Sequence, residues 1–144
     1  MIAPPPKPAP QRATEPNQSH MRAASVANSF RYAFAGLRYL LWTQRNAKIH
    51  TAIGIAAVAL GFVLNIDRYE WLTLTLTIAI VLAAEGVNTA IEAVVDLASP
   101  SYHPLAKIAK DVGAGTVLLT AVAAVIVGML LFLPHLLPII LSWL

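Results

Sequence analysis

Residues 70–98 read EWLTLTLTIAIVLAAEGVNTAIEAVVDLA, and this stretch decides the fold. It reads as one long apolar helix, yet it carries Glu85, Asn88, Glu92 and Asp96. At about 100° per residue, Asn88, Glu92 and Asp96 fall at roughly −60°, −20° and +20° from Glu85, so all four project from one narrow stripe. A charged side chain inside a bilayer costs about 2.5–3.5 kcal/mol even on a lenient scale. A helix with several on one face must turn that face toward protein, water or a bound cation. The alternation from Leu72 to Thr77 has the look of a strand, but a lone strand cannot satisfy its backbone in lipid, so a helix is expected.

Working outward, the whole chain has the composition of an integral membrane protein. Of its 144 residues 58% are apolar and 12% are charged, far from the usual soluble balance. One compact membrane domain is expected. The absence of cysteine closes disulfide and thiol chemistry. The first 25 residues lack an apolar run, so no secretory signal peptide is expected. Residues 1–24 hold Pro4, Pro5, Pro6, Pro8, Pro10 and Pro16 and read as a disordered, solvated tail.

Residues 25–47 predict an amphipathic helix lying on the membrane surface. Val26, Phe30, Phe34, Leu37 and Leu41 recur at spacings of three and four, and Arg31, Arg38 and Arg45 recur every seven. Those arginines suit anionic headgroups first, with direct phosphate binding as the second reading. Three spans follow, near residues 49–64, 71–98 and 112–133, each close to the roughly 20 residues that cross a bilayer. Pro134 is expected to end the third, and residues 136–144 form an apolar tail too short to span.

Charge gives the topology. Seven of the ten Lys/Arg precede the first span, the turn after it carries only Arg68, and the next loop carries Lys107 and Lys110. The N-terminus and that second loop are therefore expected in the cytoplasm, with the chain multi-pass in an inner or plasma membrane. With Trp71 at the outer interface, Glu85 lies about 21 Å further in and Glu92 about 31 Å, at the inner edge of a roughly 30 Å core.

A carboxylate just below that edge is partly desolvated and suited to general-base work. Carboxylates at the wetter edge are hard oxygen ligands for Mg²⁺. Lys110, with Asp111 beside it, offers a point charge to a phosphate. Together these allow phosphoryl transfer, which needs a metal, a cation and a base. Proton or ion conduction explains intramembrane carboxylates equally well. A channel, however, needs polar groups through the whole span, and residues 72–84 offer only threonines. No Gly-rich phosphate loop of the soluble nucleotide-binding type is present. Gly113-Ala114-Gly115 reads as a close helix contact. His20, His50, His103 and His135 show no metal-ligand spacing and read as polar or interfacial residues.

The run from Glu85 to Asp96 (EGVNTAIEAVVD) and the run from Tyr102 to Asp111 (YHPLAKIAKD) together closely resemble the signature of the small bacterial integral-membrane lipid kinases, the prokaryotic diacylglycerol and undecaprenol kinases. The resemblance covers about residues 28–133. It implies a homotrimer of three-span subunits with a surface helix, using ATP and Mg²⁺ to phosphorylate a membrane lipid hydroxyl at sites between subunits. By position, Glu85 resembles the general base and Asn88 its polar neighbour. Glu92 resembles a metal-binding glutamate. Asp96, Ser101, Tyr102, His103, Lys110 and Asp111 match the ATP-binding segment, and Tyr32 matches a nucleotide-side tyrosine of the surface helix. Gln44 stands where the family has a second metal-binding glutamate, and an amide oxygen brings no charge. Arg22 and Arg31 are near, without clearly matching, the family arginine at the start of the surface helix. The segments 44–50, 70–71 and 103–107 look more like the undecaprenol kinases, whereas 85–96 looks equally like the diacylglycerol kinases. The expectation is thus an all-α membrane lipid kinase whose domain covers residues 25–135. Its partners would be ATP, a lipid and two further copies of itself, with no nucleic acid. A small oligomeric ion pathway and an inactive homologue are the alternatives.

Overall fold

The computed structural model describes residues 26–142 and is helical throughout: α1 (Val26–Thr43), α2 (Arg45–Leu64), α3 (Arg68–Ala98) and α4 (Pro104–Leu141). The proline-rich segment read as a tail, with Arg22 and His20, lies outside the described residues. The chain divides into two units, Met1–Phe34 and Ala35–Leu144. Of the first, the beginning of α1 is described; Phe30, Tyr32 and Phe34 are exposed there.

The join between α1 and α2 is a single extended residue. Gln44 sits at φ −88°, ψ 119°, and its side chain makes no cap hydrogen bond. Its backbone N–H still donates to the Leu40 carbonyl at 3.0 Å, and its own carbonyl accepts from Lys48 N at 3.2 Å. The helix expected to lie on the membrane surface therefore ends four residues before the expected 47, and Arg45, expected on its cationic face, belongs instead to the first turn of α2. Polar Gln44, Arg45 and Asn46 tolerate freed backbone groups, while Ala47, fully buried, anchors the new helix.

Asn65 ends α2 in the left-handed conformation (φ 51°, ψ 47°), its N–H donating to the Gly61 and Phe62 carbonyls. A short polar side chain makes that conformation accessible. Two residues later Asp67 caps α3. Its Oδ1 accepts the Tyr69 and Glu70 N–H groups at 2.6 and 2.9 Å, and Glu70 Oε2 accepts the Asp67 N–H at 2.7 Å, a reciprocal capping box. Ile66 of this turn, with Leu74 of α3 and Leu131 and Phe132 of α4, forms the one buried apolar cluster among the described residues, flanked by Trp71, Leu64 and Leu136.

His103 and Pro104 start α4. His103 Nδ1 accepts the Leu105 N–H at 3.2 Å, and Pro104 occupies the first helical turn, where a missing N–H costs nothing. Lys107, Lys110 and Asp111, expected in a loop, thus stand on the opening turns of α4; an apolar-run criterion misses this amphipathic start. At the other end the helix does not stop at Pro134 but runs through it and Pro138 to Leu141. Each proline removes one i→i−4 bond, and in an apolar setting continued helix leaves fewer open backbone groups than a loop would.

α2, α3 and α4 are each long and apolar enough to cross a membrane, yet only 17% of each apolar window is buried within the chain. α3 packs most extensively on α4 and less on α2. The remaining apolar surface is far larger than an aqueous monomer carries. At 1.5 Å per residue the 31 residues of α3 span about 46 Å, so part of this helix lies outside a roughly 30 Å hydrocarbon layer.

Candidate functional site

The acidic stripe of α3 is graded in burial. Glu85 is 2% exposed and Asn88 8%; Glu92 is half-buried, and Asp96 is exposed. Thr89 donates its hydroxyl to the Glu85 carbonyl at 2.9 Å, which keeps that polar group on the helix. One turn on, Asn88 Nδ2 donates to Glu92 Oε1 at 2.9 Å. That bond fixes the amide orientation, since a flipped Asn88 would face the carboxylate with an oxygen. Asn88 Oδ1 then points at Gly113 of α4 and has no hydrogen-bond partner among the described residues. A Cβ at Gly113 would collide with this oxygen. Gly113 is therefore a close helix contact as expected, whereas Gly115 is exposed with no neighbour within 4 Å of a would-be Cβ.

The structure brings Glu85 to a residue that sequence reasoning set aside. His50, on the second turn of α2, places Nε2 3.3 Å from Glu85 Oε1, at an angle outside hydrogen-bond geometry, so Oε1 remains without a bonded donor among the described residues. The two are 35 positions apart. Only the packing of α2 on α3 joins them, and spacing within one segment gives no signal of it.

Toward the end of α3 the stripe meets α4. Lys110 Nζ pairs with Asp96 Oδ1, and Lys107 pairs with Asp111 one turn along α4. Lys110 and Asp111, adjacent in sequence, thus have separate partners. Around the Lys110–Asp96 pair, the loop at 99–103 closes an open cavity of about 460 Å³. Asp96, Ser101, Tyr102, His103, Lys110 and Asp111 all line it. Six of the candidate nucleotide residues therefore surround one space. Ser99 Oγ donates to the Ser101 carbonyl at 3.0 Å and shapes the loop. Tyr32 belongs to the N-terminal unit, where it is exposed and the Arg31 guanidinium lies 5.2 Å from its ring centroid. Gln44 is half-buried at the start of α2.

Among the described residues no group of three His, Asp or Glu side chains converges as a metal cage. Mg²⁺ does not need one, because it takes one or two protein oxygens and completes its shell with water and substrate phosphates. Glu92 fits that use. Its Oε1 is held by Asn88 and its second oxygen is uncommitted. The donor set here is hard oxygen, as Mg²⁺ prefers.

Beside His50 a second space opens, an apolar groove of about 310 Å³ between α2, α3 and α4. Ile53, Gly54 and Ala57 line it from α2, and it reaches Leu74 and Phe132 at its far end, with His50 and Thr77 its few polar members.

Comparison with known proteins identifies the family. The family model of prokaryotic diacylglycerol kinase matches residues 31–132. A diacylglycerol kinase of Synechocystis sp. is 51% identical over 116 residues, covering 80% of this chain and 66%, just under two thirds, of that protein. An undecaprenol kinase of Bacillus subtilis is 42% identical over 108 residues, 75% of this chain and 88% of that protein. A diacylglycerol kinase of Escherichia coli is 33% identical over 105 residues, 72% and 85% of the two. With three helices able to cross a membrane and a polar stripe leading from a buried carboxylate to a charged, loop-edged cavity, this membrane protein belongs to the prokaryotic diacylglycerol kinase family of lipid kinases.

Proposed function

We propose that the chain transfers the γ-phosphate of ATP to the hydroxyl of a membrane lipid, diacylglycerol or undecaprenol. The observation that carries this reading is the continuous polar track on α3. It runs from buried Glu85, 3.3 Å from the His50 that lines the apolar groove, through Asn88 and Glu92 to the Asp96–Lys110 pair at an open cavity. A lipid needs an apolar bed ending at a base. A nucleoside triphosphate needs an aqueous, cationic pocket. The track joins the two.

In this reading Glu85 accepts the proton of the lipid hydroxyl as its oxygen attacks the γ-phosphorus in line. The bond from that phosphorus to the bridging oxygen breaks, and ADP leaves. Lys110 offsets phosphate charge, and the loop residues Ser101, Tyr102 and His103, with Asp96 and Asp111, hold the nucleotide. Asn88 keeps Glu92 oriented. Glu92 and Gln44 hold Mg²⁺, which when bound would neutralise charge on the phosphate oxygens. Residues 25–135 constitute the kinase domain. The N-terminus and the loop at 99–103 face the cytoplasm, as the Lys/Arg distribution favours. The family resemblance implies a homotrimer, and the small buried fraction of each span supports further copies covering the apolar faces.

An ion pathway is less well supported. Thr73 and Thr77, in the stretch of α3 between Glu70 and Glu85, return their hydroxyls to the Tyr69 and Thr73 carbonyls at 2.8 and 2.7 Å, so these two offer little to a passing ion. The test is transfer of labelled γ-phosphate from ATP to diacylglycerol and to undecaprenol in parallel. Label in either lipid supports the kinase. Label in neither, with a folded protein, overturns it.

A further inference from the structure

The geometry points to His50 as a positioning residue for Glu85: its Nε2–H steadies Oε1 of the carboxylate and leaves Oε2 turned toward the lipid hydroxyl. This rests on the reading of Glu85 as the base. A carboxylate as buried as Glu85 is costly unless a donor reaches it. Three polar side chains of α3 and α4 that could serve are engaged elsewhere. Asn88 Nδ2 donates to Glu92, the Thr89 hydroxyl donates to the backbone carbonyl of Glu85 itself, and Lys110 is paired with Asp96. His50 alone brings a free ring nitrogen, at 3.3 Å.

Catalytic hydrogen bonds are often long or skewed without substrate and tighten when it binds. His50 is also placed to do this with a lipid present. It is part-buried, with its side chain 20% exposed, and it is the polar member of the apolar groove nearest Glu85. A lipid in that groove would cover the exposed part of His50, and its contact with the carboxylate would strengthen as the local dielectric falls. The imidazole also stands between two helices, so it transmits the α2–α3 register directly to the angle of the base.

The experiment compares full-length native protein with His50→Leu, His50→Gln, Glu85→Gln and the double variant His50→Leu/Glu85→Gln, in lipid-detergent micelles with lipid and ATP varied separately. His50→Leu is expected to lower kcat about 10- to 100-fold, the scale of misplacing a reacting group, with KM for ATP and melting temperature unchanged. His50→Gln, whose amide N–H can occupy the Nε2 position, should recover kcat to within about fivefold of native. In the Glu85→Gln background, His50→Leu should cost nothing further, because a positioning residue acts only through the group it positions. The His50 Nε2 nitrogen resonance should move in Glu85→Gln. Full kcat in His50→Leu, or single-variant losses that multiply in the double variant, would overturn the role. So would an unmoved resonance, which remains informative if the leucine variant fails to fold. Full activity in Glu85→Gln would instead overturn the base assignment itself.

Discussion

His135 Nε2 lies 2.9 Å from Glu70 Oε1, and the other oxygen of that carboxylate accepts the Asp67 N–H at 2.7 Å. One side chain therefore closes the capping box of α3 and fastens the last turns of α4, beside Pro134, to the first turn of α3. This predicts an order of stability. Glu70→Gln keeps the cap, since glutamine serves at that position, and loses the charge facing His135. Glu70→Ala loses both. Melting temperature, followed by circular dichroism, should fall from native to Gln to Ala. Turnover should stay unchanged in both, because Glu70 is 15 residues, or about 22 Å, from Glu85 along the helix. Equal melting of all three proteins would mean that the pair contributes nothing.

Asn88 and Gly113 fix a second prediction. A methyl at Gly113 collides with Asn88 Oδ1, so Gly113→Ala must push Asn88 away and break its bond to Glu92. We expect kcat to drop on the order of tenfold or more, as small misplacements near reacting groups do, together with a raised Mg²⁺ requirement. Gly115→Ala, with open space around it, should leave both parameters alone. Kinase assays across a Mg²⁺ titration distinguish the pair, and equal behaviour would remove the steric argument.

Glu85→Gln keeps the size and much of the polarity of a buried side chain while removing its capacity to accept a proton. Turnover should fall at least about a hundredfold, the scale of losing an acid–base group. Folding and KM for ATP should hold, since the cavity around Lys110 is built from other residues. Near-native turnover would take the base role from Glu85.

Much of this was legible within α3 and α4 read one at a time. The stripe from Glu85 to Asp96, the close contact at Gly113 and the turn before Trp71 follow from periodicity, small residues and hydropathy. What was not legible has physical causes. The break at Gln44 involves one extended residue with no glycine or proline to mark it, so helical periodicity ran across it. The early start of α4 was written in His103-Pro104, but hydropathy alone looks only for the apolar part of a helix. Pro134 misled because a breaker in water is tolerated where the alternative is bare backbone in an apolar setting. The proximity of His50 to Glu85 depends on how α2 packs against α3, which no pattern within either segment encodes.

Topology is open to a direct test, because the chain has no native cysteine. Ser19→Cys and Ser101→Cys should both react with an impermeant thiol reagent from the cytoplasmic side, and Asn65→Cys from the opposite side. The expectation rests on the excess of Lys/Arg before α2 and in the first turns of α4 over the single Arg68 at the turn between α2 and α3. Reaction of the Ser19 and Ser101 positions from different faces would break the three-span arrangement.

Gln44 carries the sharpest expectation about the metal. It sits half-buried at the start of α2, with its side chain uncommitted to capping, where the family resemblance places a glutamate. A neutral amide oxygen still coordinates Mg²⁺ but takes one negative charge out of the coordination sphere. At a partly desolvated site a charge acts more strongly than in water, so the native enzyme should work with a raised Mg²⁺ requirement. Gln44→Glu should then lower the Mg²⁺ concentration that gives half-maximal phosphorylation, with little change in the maximal rate. Asp96 does not substitute for the missing charge, since it is already paired with Lys110. An unchanged or raised requirement in Gln44→Glu would take Gln44 out of the metal shell. A native protein inactive at every Mg²⁺ concentration and revived by Gln44→Glu would instead mark this chain as a kinase scaffold that has lost its activity at a single side chain.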